Sequence, residues 1–520
     1  MNHSTACSRP AKFFLWALLF SSALIFGFPL VTTAQTNLTG LWIYRIPRGD
    51  GTYREMFLDL KQDGEQLTGK VMYSANRGVP ISDGTLRSGA IHFTVTFGRP
   101  PRTVQVVYDG TVEGDRITLT SAAPGREPLK GTAERTDAKA LEPPARLPLP
   151  ELHDVPDSGL ARTPPMGWNS WNKFAGKVDD KVVREIADAM VSSGMKDAGY
   201  TYINIDDTWE AGRDAAGNIT SNLKFPDMKA LADYVHSKGL KIGIYSSPGP
   251  KTCAGYEGSY GHEEQDAKSY AAWGIDYLKY DWCSAGEIYK NDEMQPVYQK
   301  MGDALLKAGR PIVFSLCQYG EDDVWKWGAK VGGNLWRTTD DINDSWKRMS
   351  DIGFSQFAIA PYTRVGHWND PDMLEIGNGG MSAEEYRTHM SLWSMLAAPL
   401  LAGNDLRTMS DETKDILMNR DVIAIDQDPD GKPMKNLSAA DATAVVLVRP
   451  LHSGATAVGL FNRADQPQTV TVKWADAGLA GGKFTTRDLW KHANVAVSGD
   501  VYSASVPAHG VVLLKLTPAE

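Results

Sequence analysis

Residues 275–283 read IDYLKYDWC. Side chains alternate across an extended chain, so Tyr277, Lys279 and Asp281 share one face while Leu278 and Tyr280 take the other. If the first face points inward, an ammonium stands beside a carboxylate, which favours the ionised acid and suits a nucleophile. Seven runs of similar β-type texture flank it: PMGWNS from Pro165, YTYINIDD from Tyr200, KIGIYSS from Lys241, PIVFSLC from Pro311, NLWRTTDD from Asn334, VGHWNDPD from Val365 and PLLAGND from Pro399. Between them lie helical patterns such as DKVVREIADAMVSSGM, FPDMKALADYVHSKG and EEYRTHMSLWSMLA, with apolar residues at three- and four-residue spacing. Strands alternating with crossover helices are the signature of a parallel sheet. Eight strand-helix units over residues 161 to about 430 match the size of a closed (β/α)8 barrel. An open doubly wound sheet is the competitor, but it wants a Gly-rich phosphate turn after its first strand, and GWNSW is not one.

Outward from this barrel, assigned to residues 163–432, the texture changes on both sides. Residues 35–137 alternate short apolar runs with DG, EG and GD turns, as expected for a small antiparallel barrel or sandwich. That region carries no catalytic constellation, so packing or spacing is favoured over glycan binding. Residues 138–162 are proline-rich and read as an extended interdomain linker. Residues 433–520 return to alternation, in TAVVLVRP, TAVGLFN, QTVTVKW and GVVLLKL, and read as a C-terminal antiparallel β-sandwich. The expected class is thus α/β, with an all-β domain at either end.

Arg9 and Lys12, an apolar run from Phe13 to about Val31 and small residues through Ala34 make residues 1–34 a secretory signal peptide. A retained anchor is the rival, because the run is at the lower limit for spanning a bilayer. Export to the periplasm or the extracellular space is expected, with no stable membrane partner. Cys7 would leave with the signal, and Cys253, Cys283 and Cys317 would remain as one pair and one free thiol. The net charge of -9 offers no basic stripe to a nucleic acid.

Reactive groups of such barrels stand at the C-terminal ends of the strands. Polar residues collect there: Trp171, Asp206 and Asp207, Tyr245, Lys279 and Asp281, Cys317 and Gln318, Arg337 and Asp341, Asp370 and Asp372. On the sixth strand Arg337, Thr339 and Asp341 share parity. Two carboxylates converging from different strands are the minimal kit for cleaving an acetal. Helix capping is the competing role for any single aspartate, but the paired acids exceed what capping needs. Trp168, Trp171, Trp209, Trp282 and Trp368 lie beside them, and aromatic faces stack on sugar rings. A metal-dependent hydrolase would enlist histidines, of which only His262 and His367 fall near strand ends.

The motifs TPPMGWNSW, YINIDDTW, GIYSSPGPKTC, DYLKYDWC, LWRTTDDINDSW and WNDPDMLEIGN resemble glycoside hydrolase family 27, the α-galactosidases and α-N-acetylgalactosaminidases. The similarity runs from about residue 163 through the barrel and into the C-terminal sandwich, and does not cover the N-terminal β domain or the linker. The resemblance implies that Asp281 is the nucleophile and Asp341 the general acid/base. It implies sugar contacts from Trp171, Asp206, Asp207, Tyr245, Lys279, Cys317, Arg337 and Asp372. It implies a disulfide between Cys253 and Cys283, with Cys317 free, and neither metal nor organic cofactor. After strand five the family reads CEWG or a related sequence, whereas this chain reads Cys317-Gln318-Tyr319-Gly320, where the substituent on carbon 2 is sensed. Gln318 is larger than the small residues of the N-acetylgalactosamine enzymes, and Asp207 is shorter than the acid of the β-L-arabinopyranosidases. Both differences point to galactose.

The expected activity is retaining hydrolysis of terminal α-galactosides, in an oligosaccharide or polysaccharide. α-N-acetylgalactosaminidase and β-L-arabinopyranosidase are the alternatives within the family, and a non-catalytic sugar-binding protein the alternative outside it. Oligomeric state is left open.

Overall fold

A computed structural model describes residues 37–519, apart from 75–76, 100–101, 480–482 and 498. The signal peptide expected at residues 1–34 lies outside the described residues. No helix among them is long and apolar enough to cross a membrane.

Eight antiparallel strands open the chain: β1 (Gly40–Pro47), β2 (Tyr53–Asp63), β3 (Gln66–Ser74), β4 (Arg77–Arg87), β5 (Ala90–Arg99), β6 (Arg102–Glu113), β7 (Arg116–Ala122) and β8 (Leu129–Thr136). Each pairs with the next and β8 pairs back onto β1, so this is a closed barrel rather than a sandwich. Alternation drives the closure: Trp42, Tyr44 and Ile46 on β1 and Met56, Leu58 and Leu60 on β2 are buried, while their neighbours are less so. Strand β4 carries a register shift between Ser82 and Thr85 with Asp83 at φ 54°. A Cβ on Gly84 would stand 2.1 Å from the carbonyl oxygen of Leu67, so only glycine fits this bulge.

The proline-rich segment after β8 opens with a 3-10 turn at Ala138–Leu141, then runs along the outside of the next unit and is tied down rather than free. Val155 N donates to Lys330 O at 2.7 Å, and Ala161 O accepts from Trp368 Nε1 at 2.7 Å. Leu160 and Ala161 pack against Tyr202, Tyr277, Val313, Leu335 and Trp368, the residues that begin five barrel strands and plug its lower end.

The parallel strands are β9 (Met166–Asn169), β10 (Tyr202–Asn204), β13 (Lys241–Ser246), β14 (Tyr277–Asp281), β15 (Val313–Cys317), β16 (Leu335–Arg337), β17 (Trp368–Asp370) and β18 (Leu400–Ala402); a hairpin of β11 (Glu210–Arg213) and β12 (Ile219–Ser221) interrupts the series after β10. The sheet order is β17-β16-β15-β14-β13-β10-β9-β18. The ring closes just beyond β17, where Leu374 bridges Ala402 and its N–H donates to Leu401 O at 2.8 Å. All eight strands coincide with the runs identified above, and they are short, three to six residues each.

The C-terminal unit pairs a six-stranded sheet, β19 (Lys435–Asn436), β20 (Ala444–Pro450), β21 (Thr456–Asn462), β26 (Val511–Pro518), β23 (Phe484–Asp488) and β24 (Ala493–Val495), with a ribbon of β22 (Gln468–Lys473) and β25 (Val501–Val506). On β20, Val445 and Leu447 join the core of the catalytic barrel while Val446 and Val448 face the ribbon with Val470, Val472 and Val506. Burial on both faces is why this strand reads as an unbroken apolar run.

Candidate active site

Asp281 ends β14 and is 5% exposed. Its Oδ1 accepts from Tyr319 Oη at 2.7 Å. Burial pushes its carboxyl upward; the Lys279 ammonium, the Tyr319 hydrogen bond and Arg337 pull it back without fully offsetting burial. Lys279 shares the inward face of β14, but its direct partner is Asp206, whose Oδ2 lies 2.8 Å from Nζ. The nucleophile candidate therefore feels Lys279 as a nearby charge and Tyr319 as a direct donor.

Tyr319 is held there by an unusual backbone. It sits at φ 63°, followed by Gly320 at φ 80°, and a Cβ on Gly320 would stand 2.1 Å from Thr338 O. The loop after β15 thus passes so tightly over the loop after β16 that Tyr319 is turned back toward Asp281.

Arg337 ends β16, is 3% exposed, and forks between two acids: Nη2 lies 3.0 Å from Asp341 Oδ1 and 2.9 Å from Asp372 Oδ2. Asp372 Oδ2 also accepts from Ile342 N at 2.8 Å, joining the loops after β16 and β17. The shared-parity expectation for Arg337, Thr339 and Asp341 needs correction. β16 stops at Arg337, so Asp341 stands on a loop and is brought to the mouth by Arg337 rather than by strand alternation. Its side chain is 70% exposed, in contrast to Asp281.

The opposite wall is Asp206 and Asp207, both nearly inaccessible, with Tyr245 behind them. Asp206 accepts from Asn169 Nδ2 at 2.9 Å as well as from Lys279. Asp207 Oδ2 accepts from Ala254 N at 2.7 Å, and burial raises its carboxyl to about 6. Cys253 and Cys283 are disulfide-bonded and Cys317 is a buried free thiol. The Tyr245 hydroxyl lies 3.2 Å from Cys283 Sγ, and that of Tyr319 3.5 Å from Cys253 Sγ, so the bridge backs both phenols. Trp171 opens the short helix after β9, half-buried, its N–H donating to Asn169 Oδ1 at 2.9 Å.

Several sequence-level assignments resolve differently. Trp168, Trp209 and Trp368 are fully buried and donate their indole N–H to Asn404, Tyr245 and Ala161 carbonyls; they are core and leave only Trp171 and Trp282 partly open. Helix capping falls to other aspartates, Asp179 and Asp227, which leaves the mouth acids free of that role. Gln318 has no exposed surface, and its Nε2 reaches Arg337 O at 3.4 Å. Tyr319, next in the chain, is the residue that faces Asp281. The sequence points to Tyr319 only as part of the carbon-2 motif, and not to its bond with Asp281 or to the Ala254 N–H; both contacts depend on loop geometry that alternation cannot show. Asp370, buried and raised to about 6 by desolvation, accepts from Asp372 N at 2.8 Å and supports that acid.

As for metal ligands, Cys253, Asp281 and Cys283 are the one group of three that lies within 4.8 Å among the described residues, and both sulfurs are spent in the disulfide. His367 bonds Gly333 O at the closed end of the barrel, and His262 precedes a helix.

A family model described as Alpha galactosidase A matches residues 163–428. The chain belongs to the α-galactosidase A family. A second model, the α-galactosidase C-terminal β-sandwich domain, matches residues 441–516. The α-galactosidase of Cyamopsis tetragonoloba is 49% identical over 368 residues, which is 70% of this chain and 88% of that one. α-Galactosidase A of Cellvibrio japonicus is 47% identical, covering 69% of this chain and 93% of its own. Among solved structures, α-galactosidase I from Mortierella vinacea superposes with a TM-score of 0.66 at 37% identity, over 69% of this chain and 98% of that one. Every mouth residue above, from Trp171 to Asp372, lies inside the first α-galactosidase match. The eight-stranded N-terminal barrel precedes it.

Proposed function

We propose that the protein is an exported glycosidase that releases terminal α-linked galactose with retention of configuration, Asp281 acting as nucleophile and Asp341 as acid/base. The observation that carries this reading is the contrast between the two carboxylates: Asp281 is 5% exposed and directly bonded by Tyr319, whereas Asp341 is 70% exposed on its side chain and tethered through Arg337. A nucleophile must meet the anomeric carbon in a dry site; an acid/base must reach the leaving oxygen and then water. Asp281 attacks the anomeric carbon as Asp341 protonates the departing oxygen. The glycosyl-enzyme is then opened by water that gives its proton to Asp341. Both acids belong to one charge cluster with Lys279 and Arg337, whose positive charge opposes the effect of burial on Asp281 and favours its ionised form.

Trp171, Asp206, Asp207, Tyr245, Lys279, Arg337 and Asp372 form the sugar pocket in this proposal, with Cys317 and Gln318 behind the position of carbon 2. Galactose is favoured over N-acetylgalactosamine because Gln318, at the position where carbon 2 is sensed, is not a small residue. The short Asp207 leaves space for a hydroxymethyl group, favouring galactose over arabinopyranose. Export is supported by the leader at residues 1–34 and by the disulfide, since such bonds persist in oxidising compartments. The test is proton NMR of the first-formed sugar from an aryl α-galactoside. α-Galactose appearing before mutarotation is expected; β-galactose first, or no hydrolysis, overturns the assignment.

A further inference from the structure

The N-terminal barrel meets the active-site wall through the turn between β1 and β2. Asp50 in this turn is 4% exposed although it belongs to a surface loop of its own unit. Its Oδ2 accepts from Tyr256 Oη at 2.7 Å, and its carbonyl accepts from Leu223 N at 3.0 Å. Arg48 lies flat over the Tyr256 ring, Cζ 3.8 Å from the centroid, and its Nη2 donates to Ala254 O at 2.9 Å. Ala254 is the residue whose N–H donates to Asp207 Oδ2 at 2.7 Å, and its neighbour Cys253 carries the disulfide to Cys283. On the other side of Asp207, Lys224 Nζ donates to Thr208 Oγ1 at 2.8 Å, and Thr208 is held at φ 89°. Burial alone would raise the Asp50 carboxyl; hydrogen bonds from Thr52 and Tyr256 and the charge of Lys224 outweigh it and hold it below its ordinary value. Asp50 is thus an anion bonded by Tyr256 and within the field of Lys224, in contact with the two segments that flank Asp207.

We propose that Arg48 and Asp50 of the N-terminal barrel are positioning residues of the sugar site, clamping the 252–257 loop and the Leu223–Lys224 segment so that Asp207 is held against the sugar. The barrel is then a structural part of the catalytic pocket rather than a spacer. The proposal rests on the reading that Asp207 binds the substrate. Release of the clamp frees the 252–257 loop, lengthens the Ala254 N–H to Asp207 bond and leaves Asp207 to ionise at higher pH and to sit further from the sugar.

The experiment uses the full chain and four variants, Asp50→Asn, Tyr256→Phe, Asp207→Asn and the double variant Asp50→Asn with Asp207→Asn, assayed on aryl α-galactoside across pH alongside thermal unfolding. Loss of one charge-assisted bond corresponds to about tenfold. Asp50→Asn and Tyr256→Phe should each lower kcat/KM by about that factor and move the acid limb of the profile to higher pH, and Asp50→Asn should have little further effect in the Asp207→Asn background. A lower unfolding temperature with kcat/KM and pH profile of the folded protein unchanged overturns the proposal, as does a full independent loss in the double variant. Unchanged hydrolysis by Asp207→Asn instead removes the underlying reading of Asp207. If Asp50→Asn does not fold, Tyr256→Phe decides alone by the same criteria.

Discussion

At the scale of single residues, the proposed nucleophile is held by one hydrogen bond that no periodic pattern contains. Tyr319 donates to Asp281 at 2.7 Å and so favours its ionised form. Tyr319→Phe removes that bond, and the pKa of Asp281 rises further. Because the nucleophile must be ionised, the acid limb of kcat/KM moves to higher pH, and kcat/KM at the optimum falls roughly 10- to 100-fold, the range for a bond to a charged group. A pH series on aryl α-galactoside checks this; an unmoved acid limb contradicts it. Asp281 and Arg337 are legible because each closes a strand, and Lys279 because it shares a face of β14 with Asp281. Tyr319 was not, since its direction is set by a positive φ and by the approach of Gly320 to Thr338 O, contacts between loops 18 residues apart in number. Asp341 was found for its motif, while the means of its placement, the fork of Arg337, required the fold.

At the scale of elements, the loop after β13 and the end of β14 are joined by the Cys253–Cys283 disulfide across 30 residues. Closing a loop of that length lowers the entropy of the unfolded chain by the equivalent of roughly 3–4 kcal/mol. Replacing both cysteines by serine is expected to destabilise the protein by about that amount in denaturant unfolding. It should also lower kcat, because the sulfurs back Tyr245 and Tyr319. An unchanged midpoint and full activity would contradict the bracing role. The eight barrel strands are legible because β-type runs alternate with helical patterns and most of their charged residues gather at the strand ends. In the N-terminal barrel the sequence is least informative at β4, where Asp83-Gly84 has the composition of a turn but forms a bulge within a strand. Residues 138–162 begin with a 3-10 turn at Ala138–Leu141 and then run without regular structure; that the segment is bonded along the barrel is a tertiary fact without a local signal.

At the scale of the whole molecule, three buried acids have carboxyls above their ordinary values: Asp207 and Asp370 at about 6 and Glu375, which accepts from Asn378 Nδ2 at 2.7 Å, at about 7, each raised chiefly by burial. A raised folded pKa means that the folded state holds the proton more tightly than the unfolded one. The associated stability is fully present below about 4, and is lost as pH rises through 6 to 7. The thermal midpoint of the substrate-free enzyme should therefore rise as pH is lowered from about 7.5 to about 5, and a calorimetric series that showed it falling over that window would contradict these assignments. Of the three, Asp207 is the one placed in the proposed sugar pocket, so on that reading part of the instability at neutral pH is tied to function. The most direct measurement of the central claim is covalent trapping. Incubation with an activated fluorogalactoside that slows the second step, followed by mass spectrometry of the peptides, should show one galactosyl adduct on Asp281. An adduct on Asp341, or the absence of any adduct while inverted sugar accumulates, would contradict it.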